Sequence, residues 1–230
     1  MNANMIVMTC VCALCALVFI IRRCFKRDVV SLLLKTLASI CFVILGFCGC
    51  LYADNFKSAG IVIIGLMFGM LGDIFLDLKF VDTANSAAYT ASGFASFIFG
   101  HLFYIIFILN RDPQYMYGKI AALVIAVLVG VFIYASPKLL KLDFGNYRLI
   151  SAIYAGILVF VTVYAGIRAF SIPSVFSILF FIGLVCFLIS DLILCQIYFG
   201  QNRDTKVMGV LNHTLYYAAQ ILIASSIFYV

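Results

Sequence analysis

Eight apolar stretches of about twenty residues follow one another along the chain, separated only by short polar breaks. In helical form such a stretch crosses a hydrocarbon core of about 30 Å. The stretches run over residues 4–21, 29–51, 58–78, 87–109, 118–136, 148–168, 174–199 and 207–229. Between them lie breaks such as Asp54-Asn55, Asp82-Thr83-Ala84-Asn85, Arg111-Asp112-Pro113, Ser136-Pro137-Lys138, Ile172-Pro173 and Gln201-Asn202-Arg203-Asp204. Lipid offers no partner to an open sheet edge, and the stretches lack the apolar–polar alternation of a membrane barrel, so helices are expected. All three prolines fall in the breaks, which predicts spans without proline kinks. The predicted fold is all-α, a polytopic transmembrane bundle of about eight helices forming one domain over residues 1–230.

Composition closes off the soluble alternatives. Hydrophobic residues make up 66% of the chain and charged residues 10%, against roughly a quarter charged in soluble domains. The net charge of +6 does not point to nucleic acid, because the basic residues sit in the breaks, where they report topology. The first, third, fifth and seventh loops hold Arg22, Arg23, Lys26, Arg27, Lys79, Lys138, Lys141, Arg148, Arg203 and Lys206. The second, fourth and sixth hold Lys57, Arg111, Lys119 and Arg168. This bias predicts cytoplasmic odd-numbered loops and both termini on the opposite side. The run Met5–Ile21 is followed, not preceded, by positive charge, so it reads as a first membrane helix rather than a signal peptide.

With no Trp in the chain, Tyr52, Tyr89, Tyr115, Tyr117, Tyr198 and Tyr229 are left to form interfacial belts. Cys12 and Cys15 make a CxxC without a second pair, in apolar surroundings, and read with most of the other cysteines as small packing residues. Cys24, beside the basic cluster, is a palmitoylation candidate.

All nine acidic residues are Asp, and an acid inside the bilayer costs a few kcal/mol even on the lenient insertion scale. The polar residues within the spans are Lys35, Asp73, Asp77, His101, Asp191, His213 and Gln220. At the helical rise, Lys35, Asp73, Asp191 and Gln220 share a slab roughly 8–20 Å deep from the cytoplasmic side. Asp73 and Asp77 are i,i+4; His101 and Tyr104 are i,i+3; His213, Tyr216 or Tyr217, and Gln220 form a stripe. Each needs a partner at that depth, and Lys35 with Asp73 or Asp191 is the plainest pairing. Blander readings stand beside these: a solvated, interfacial Asp77, a Lys35 that snorkels to the surface, helix–helix hydrogen bonding by Asp73 and Asp191, and a locally satisfied His213.

Several blocks resemble the YhhN-like family, the lysoplasmalogenases of bacterial and animal membranes. They are Gly72-Asp73-Ile74-Phe75-Leu76, Phe94-Ala95-Ser96-Phe97 with Gly100-His101-Leu102-Phe103-Tyr104, Phe187-Leu188-Ile189-Ser190-Asp191-Leu192, and Tyr216-Tyr217-Ala218-Ala219-Gln220-Ile221-Leu222. Lys35-Thr36-Leu37 is similar to the family's second-helix lysine block, and Tyr154 with Arg168-Ala169 to its sixth-helix block. The proline often found after that lysine is missing, Ile197 stands where Asn is common, and His213 has no counterpart. The resemblance implies an eight-helix bundle that cleaves the vinyl ether bond of lysoplasmalogens to a fatty aldehyde and glycerophosphocholine or glycerophosphoethanolamine. It implies Asp73 and Asp191 as the catalytic pair, with Lys35, His101, Tyr104, Tyr154, Tyr216, Tyr217 and Gln220 lining the site and no cofactor or metal.

Two carboxyls in unlike settings suit that reaction, since one must deliver a proton to carbon and the other must steady the oxocarbenium ion. The expected partner is a lysophospholipid within the bilayer, and a homo-oligomer is left open. Rival readings are a zinc-dependent intramembrane lipid amidase, for which His101 and His213 fall one short of three ligands without an Asp, and a proton-coupled transporter. The transporter reading draws on the matching places of Asp73 and Asp191 in two four-helix halves. A lipid-binding scaffold is the non-catalytic alternative.

Overall fold

The computed structural model describes residues 3–111 and 115–230; Asp112 and Pro113 of the break after the fourth span lie outside them. The described residues form α1 (Ala3–Phe25), α2 (Val29–Cys50), α3 (Phe56–Val81), α4 (Ser86–Arg111), α5 (Met116–Ala135), a single turn α6 (Pro137–Leu140), α7 (Arg148–Ser171), α8 (Val175–Phe199) and α9 (Lys206–Ser226). Eight of them are long and apolar enough to cross a membrane, and the chain is an integral membrane protein. Several helices outrun their apolar stretches. Arg22 and Arg23 lie inside α1, Lys79 inside α3 and Arg168 inside α7. Hydropathy stops at the first charge, whereas the backbone ladder continues to the cap.

The starts of four helices are written in short polar side chains. Asp28 accepts the Ser31 N–H at 2.9 Å to cap α2, and Asn55 accepts the Ser58 N–H at 3.0 Å to cap α3. Ser174 and Ser177 cap α8 reciprocally, and Thr205 caps α9. Pro137 opens α6, where its missing N–H costs nothing.

Neighbouring helices run α1, α2, α3, α4, α7, α8, α9 and back to α1, with α9 also reaching α2 and α3, while α5 packs on α7. Glycine sets the closest approach. A Cβ on Gly100 of α4 would meet the Gly65 carbonyl oxygen of α3 at 3.0 Å, and one on Gly93 would meet Leu76 at 2.5 Å. These two helices therefore touch backbone to backbone, as small-residue seams allow in membranes. Leu14, Leu128 and Val131 stand 62%, 63% and 60% exposed on the outside, a surface matched to acyl chains.

One end of the bundle gathers the α1–α2, α3–α4, α5–α7 and α8–α9 connections. Arg27 donates to Asp204 at 2.7 Å, the Asp143 N–H donates to the Phe199 carbonyl at 2.8 Å, and Tyr147 Oη donates to the Ala87 carbonyl at 3.2 Å. At the other end the Asp54 N–H donates to the Val230 carbonyl at 2.9 Å.

Candidate active site

The charged groups inside the bundle form a closed set around α3. Asp73 is 2% exposed. Its Oδ2 accepts from Ser39 Oγ at 2.6 Å and Tyr216 Oη at 2.7 Å, and its Oδ1 lies 3.2 Å from Lys35 Nζ. One turn away, Asp77 Oδ1 lies 3.2 Å from the same ammonium. Arg23 of α1 completes the set, with Nη1 3.0 Å from Asp77 Oδ2 and Nη2 3.2 Å from Oδ1. Two cations thus face two carboxylates across three helices, and hydrogen bonds fill most of the remaining acceptor sites, which is what makes buried charge tolerable.

The solvated reading of Asp77 is corrected here: the residue is 2% exposed, because Arg23 extends along the bundle and supplies the charge that water would otherwise screen. Lys35 does not snorkel either; its ammonium is spent between Asp73 and Asp77. Tyr217 Oη donates to the Lys35 carbonyl at 3.3 Å, tying α9 to α2 beside the pair.

The reach of α9 to Asp73 depends on a missing side chain. A Cβ on Gly69 would sit 2.7 Å from Gln220 Nε2, so glycine opens the slot in which Gln220 donates to Tyr216 Oη at 2.9 Å. Tyr216 Oη in turn donates a hydrogen bond to Asp73 Oδ2. Gly72 makes similar room for the Phe97 ring.

Asp191 of α8 has a different setting. It is half-buried, Tyr154 Oη of α7 donates to its Oδ2, and no cation pairs with it among the described residues. The turn before it is locked to α9: Asn212 Nδ2 donates to the Ser190 carbonyl at 2.8 Å and Ser190 Oγ donates back to the Asn212 carbonyl at 3.1 Å.

Asp73 and Asp191 both line a cavity of ≈ 360 Å³, together with Lys35, Asp77, Tyr216 and His213. It extends to the loop end of the bundle, where Lys26, Arg27, Asp204 and Lys206 form its rim. Lys26 and Lys206 join no ion pair among the described residues. At that rim hydrogen bonds from Arg27 hold the Asp204 carboxyl below the usual carboxylate range.

Of the site residues that the resemblance implies, Lys35, Asp73, Asp191 and Tyr216 reach the cavity wall, where Asp77 and His213 join them. Tyr154, Tyr217 and Gln220 stand one step behind, each bonded to a wall residue. His101 and Tyr104 do not reach that wall. Nδ1–H of His101 donates to the Phe97 carbonyl at 2.7 Å, and the rings of Phe187, Tyr104 and Tyr154 surround it at 4.6, 5.7 and 5.7 Å. Its Nε2 is buried without a partner among the described residues. Tyr104 is seated against Gly65, where a Cβ would come within 2.2 Å of its ring.

Sequence reasoning missed Ser39, Arg23 and Asn212. Ser39 stands i+4 from Lys35 and shares its face, a readable signal; nothing in the basic cluster of α1 marked Arg23 as an inward-facing residue. Among the described residues no three His, Cys, Asp or Glu side chains gather as metal ligands do.

The YhhN family model matches residues 30–227, a stretch that contains the α2, α3, α7, α8 and α9 residues of this site. The chain belongs to the YhhN family. Neither any curated protein nor any solved structure matches it. In this YhhN protein, Arg23 alone of the four ion-paired groups around α3 lies outside the matched stretch.

Proposed function

We propose that this YhhN-family protein is an intramembrane hydrolase that cleaves the vinyl ether bond of lysoplasmalogens, yielding a fatty aldehyde and glycerophosphocholine or glycerophosphoethanolamine. The observation that carries the reading is that one cavity wall holds Asp73 and Asp191 in opposite settings. Three donors, one of them an ammonium, converge on Asp73; these are the surroundings of a carboxylate. Among the described residues Asp191 has a phenol and no cation, the surroundings in which a carboxyl keeps its proton.

Asp191 then acts as general acid and delivers a proton to the β-carbon of the vinyl ether. The resulting oxocarbenium ion is stabilised by the Asp73 carboxylate, which also orients the attacking water. The hemiacetal collapses to aldehyde and the free glycerol hydroxyl, so that one water is consumed and the acid is restored. Tyr216, steered by Gln220, holds Asp73 in place, and Tyr154 holds Asp191. The positive-inside bias turns the rim toward the cytoplasm, which would receive the water-soluble product.

Purified protein in detergent is expected to release aldehyde from lysoplasmenylcholine or lysoplasmenylethanolamine, read by a coupled aldehyde dehydrogenase. Asp191→Asn and Asp73→Asn should each lower that rate by roughly a hundredfold or more, the lower range for loss of an acid–base group, in protein that still elutes as a folded monodisperse species. Recovery of the lipid intact, or near-normal turnover in either variant, overturns the assignment.

A further inference from the structure

A second, narrower space of ≈ 80 Å³ lies between α7 and α8. It shares Asp191, Leu194 and Tyr198 with the charged cavity, and Tyr154 is on its wall. The two spaces differ in chemistry. Nine charged side chains line the first; the second has Asp191 as its one charged residue and is otherwise walled mainly by groups such as Ile133, Phe144, Leu188 and Leu192. Leu192 is 56% exposed on the outer surface of α8, so the outer lip of the crevice faces the acyl chains.

We propose that this crevice is the track for the hydrocarbon chain of the substrate, with the headgroup in the charged cavity and the scissile bond at the junction, beside Asp191. The inference rests on the lysolipid reading above and adds orientation and selectivity to it. In a single-chain vinyl ether lipid the reactive carbons lie between the polar glycerol and the apolar chain. A site that hydrolyses it must therefore place its acid where a polar compartment meets an apolar one, because each half of an amphiphile is costly to bury in the wrong surroundings. Asp191 is the charged residue that both compartments share. Asp73 lies on the polar side alone, where an anion faces the cation that forms but not the chain.

The probe is a non-hydrolysable alkyl-ether lysophosphatidylcholine with a photoactivatable diazirine near the chain end, applied to the full-length protein in detergent or bilayers. Labelled peptides should map to residues 188–199 of α8 and the facing 142–147 segment. Label concentrated instead on the open groove between α5 and α7, or on α1, overturns the proposal, as does the absence of specific label. Leu192→Trp should cut both labelling and release of a long-chain aldehyde about tenfold, the scale on which filling an apolar pocket acts. A short butenyl substrate with the same headgroup should be cleaved within about twofold of the unmodified rate; equal losses on both chains overturn the track. Should the tryptophan variant fail to fold, the labelling map of the unmodified protein still decides. The two readings fail separately. Crevice labelling without any vinyl ether cleavage removes the enzymatic assignment and keeps the chain track, whereas cleavage with label elsewhere does the reverse.

Discussion

The surroundings of Asp73 and Asp191 are built on opposite plans. Around Asp73, side chains from α1, α2 and α9 meet α3, and two cations, two carboxylates, a serine and a tyrosine satisfy one another. Around Asp191, one tyrosine from α7 makes the single side-chain bond among the described residues, and the group keeps partial access to the cavity. A carboxyl with three donors is fixed in place, whereas one with a single donor is left more open to the cavity. The difference teaches that two identical side chains at similar depth acquire different chemistry from the number and sign of their neighbours.

The contrast is broken most severely by removing the shared cation. Lys35→Met leaves Asp73 and Asp77 to face each other with Arg23 as their one remaining cation, and should destabilise the bundle by about 3 kcal/mol, the cost of stranding a buried partner. Unfolding in a detergent–denaturant series measures it, and Asp77→Asn added to the same chain should restore part of the loss; an unimproved double variant would show that the ion bridge is not what Lys35 supplies.

Next in size are the two tyrosines. Tyr154→Phe takes from Asp191 its one partner and should slow aldehyde release about tenfold, whereas Tyr216→Phe takes one of three from Asp73 and should slow it about threefold, in line with about 1.4 and 0.7 kcal/mol for such bonds. Equal effects on turnover would erase the distinction between the two sites.

The smallest change concerns the rim. The Arg27–Asp204 pair is 40% and 42% exposed, so screening limits it to about 0.5 kcal/mol. Because hydrogen bonds from Arg27 depress the Asp204 carboxyl, its contribution is complete above the unfolded-chain value of about 3.9 and fades as pH falls through the lower folded value. Asp204→Asn should remove that acid dependence, and added salt should mimic the substitution; a loss of stability as large as that of Lys35→Met would place this pair in the interior set.

Much of this organisation is legible in the linear pattern and some is not. Each predicted span has its helix within a few residues, since a twenty-residue apolar run has no other stable form in lipid. Depth likewise singled out Lys35, Asp73 and Asp191, and the structure realises one of the two pairings open to Lys35. Asp77 was misread because its partner, Arg23, comes from a helix 54 residues away in a cluster that hydropathy assigns to a loop. His101 was assigned to the site by the family resemblance, yet the rotation of α4 sends its ring toward Phe187. Spacing reveals which residues share a face of a helix; it carries no information on what that face meets.

The order of residues alone therefore determined a membrane bundle, its turning points, the asymmetry of its loops and the short roster of polar groups that lipid would not tolerate unpaired. Packing decided which of those groups meet: glycine seams at Gly65, Gly69 and Gly100 fix how α3 presents itself to α4 and α9, and from that rotation follow the crowded pocket of Asp73 and the sparse one of Asp191. The reason is physical. Transfer into lipid is a property of each segment by itself, whereas the partners of a buried charge are set by distances between helices that no single segment contains.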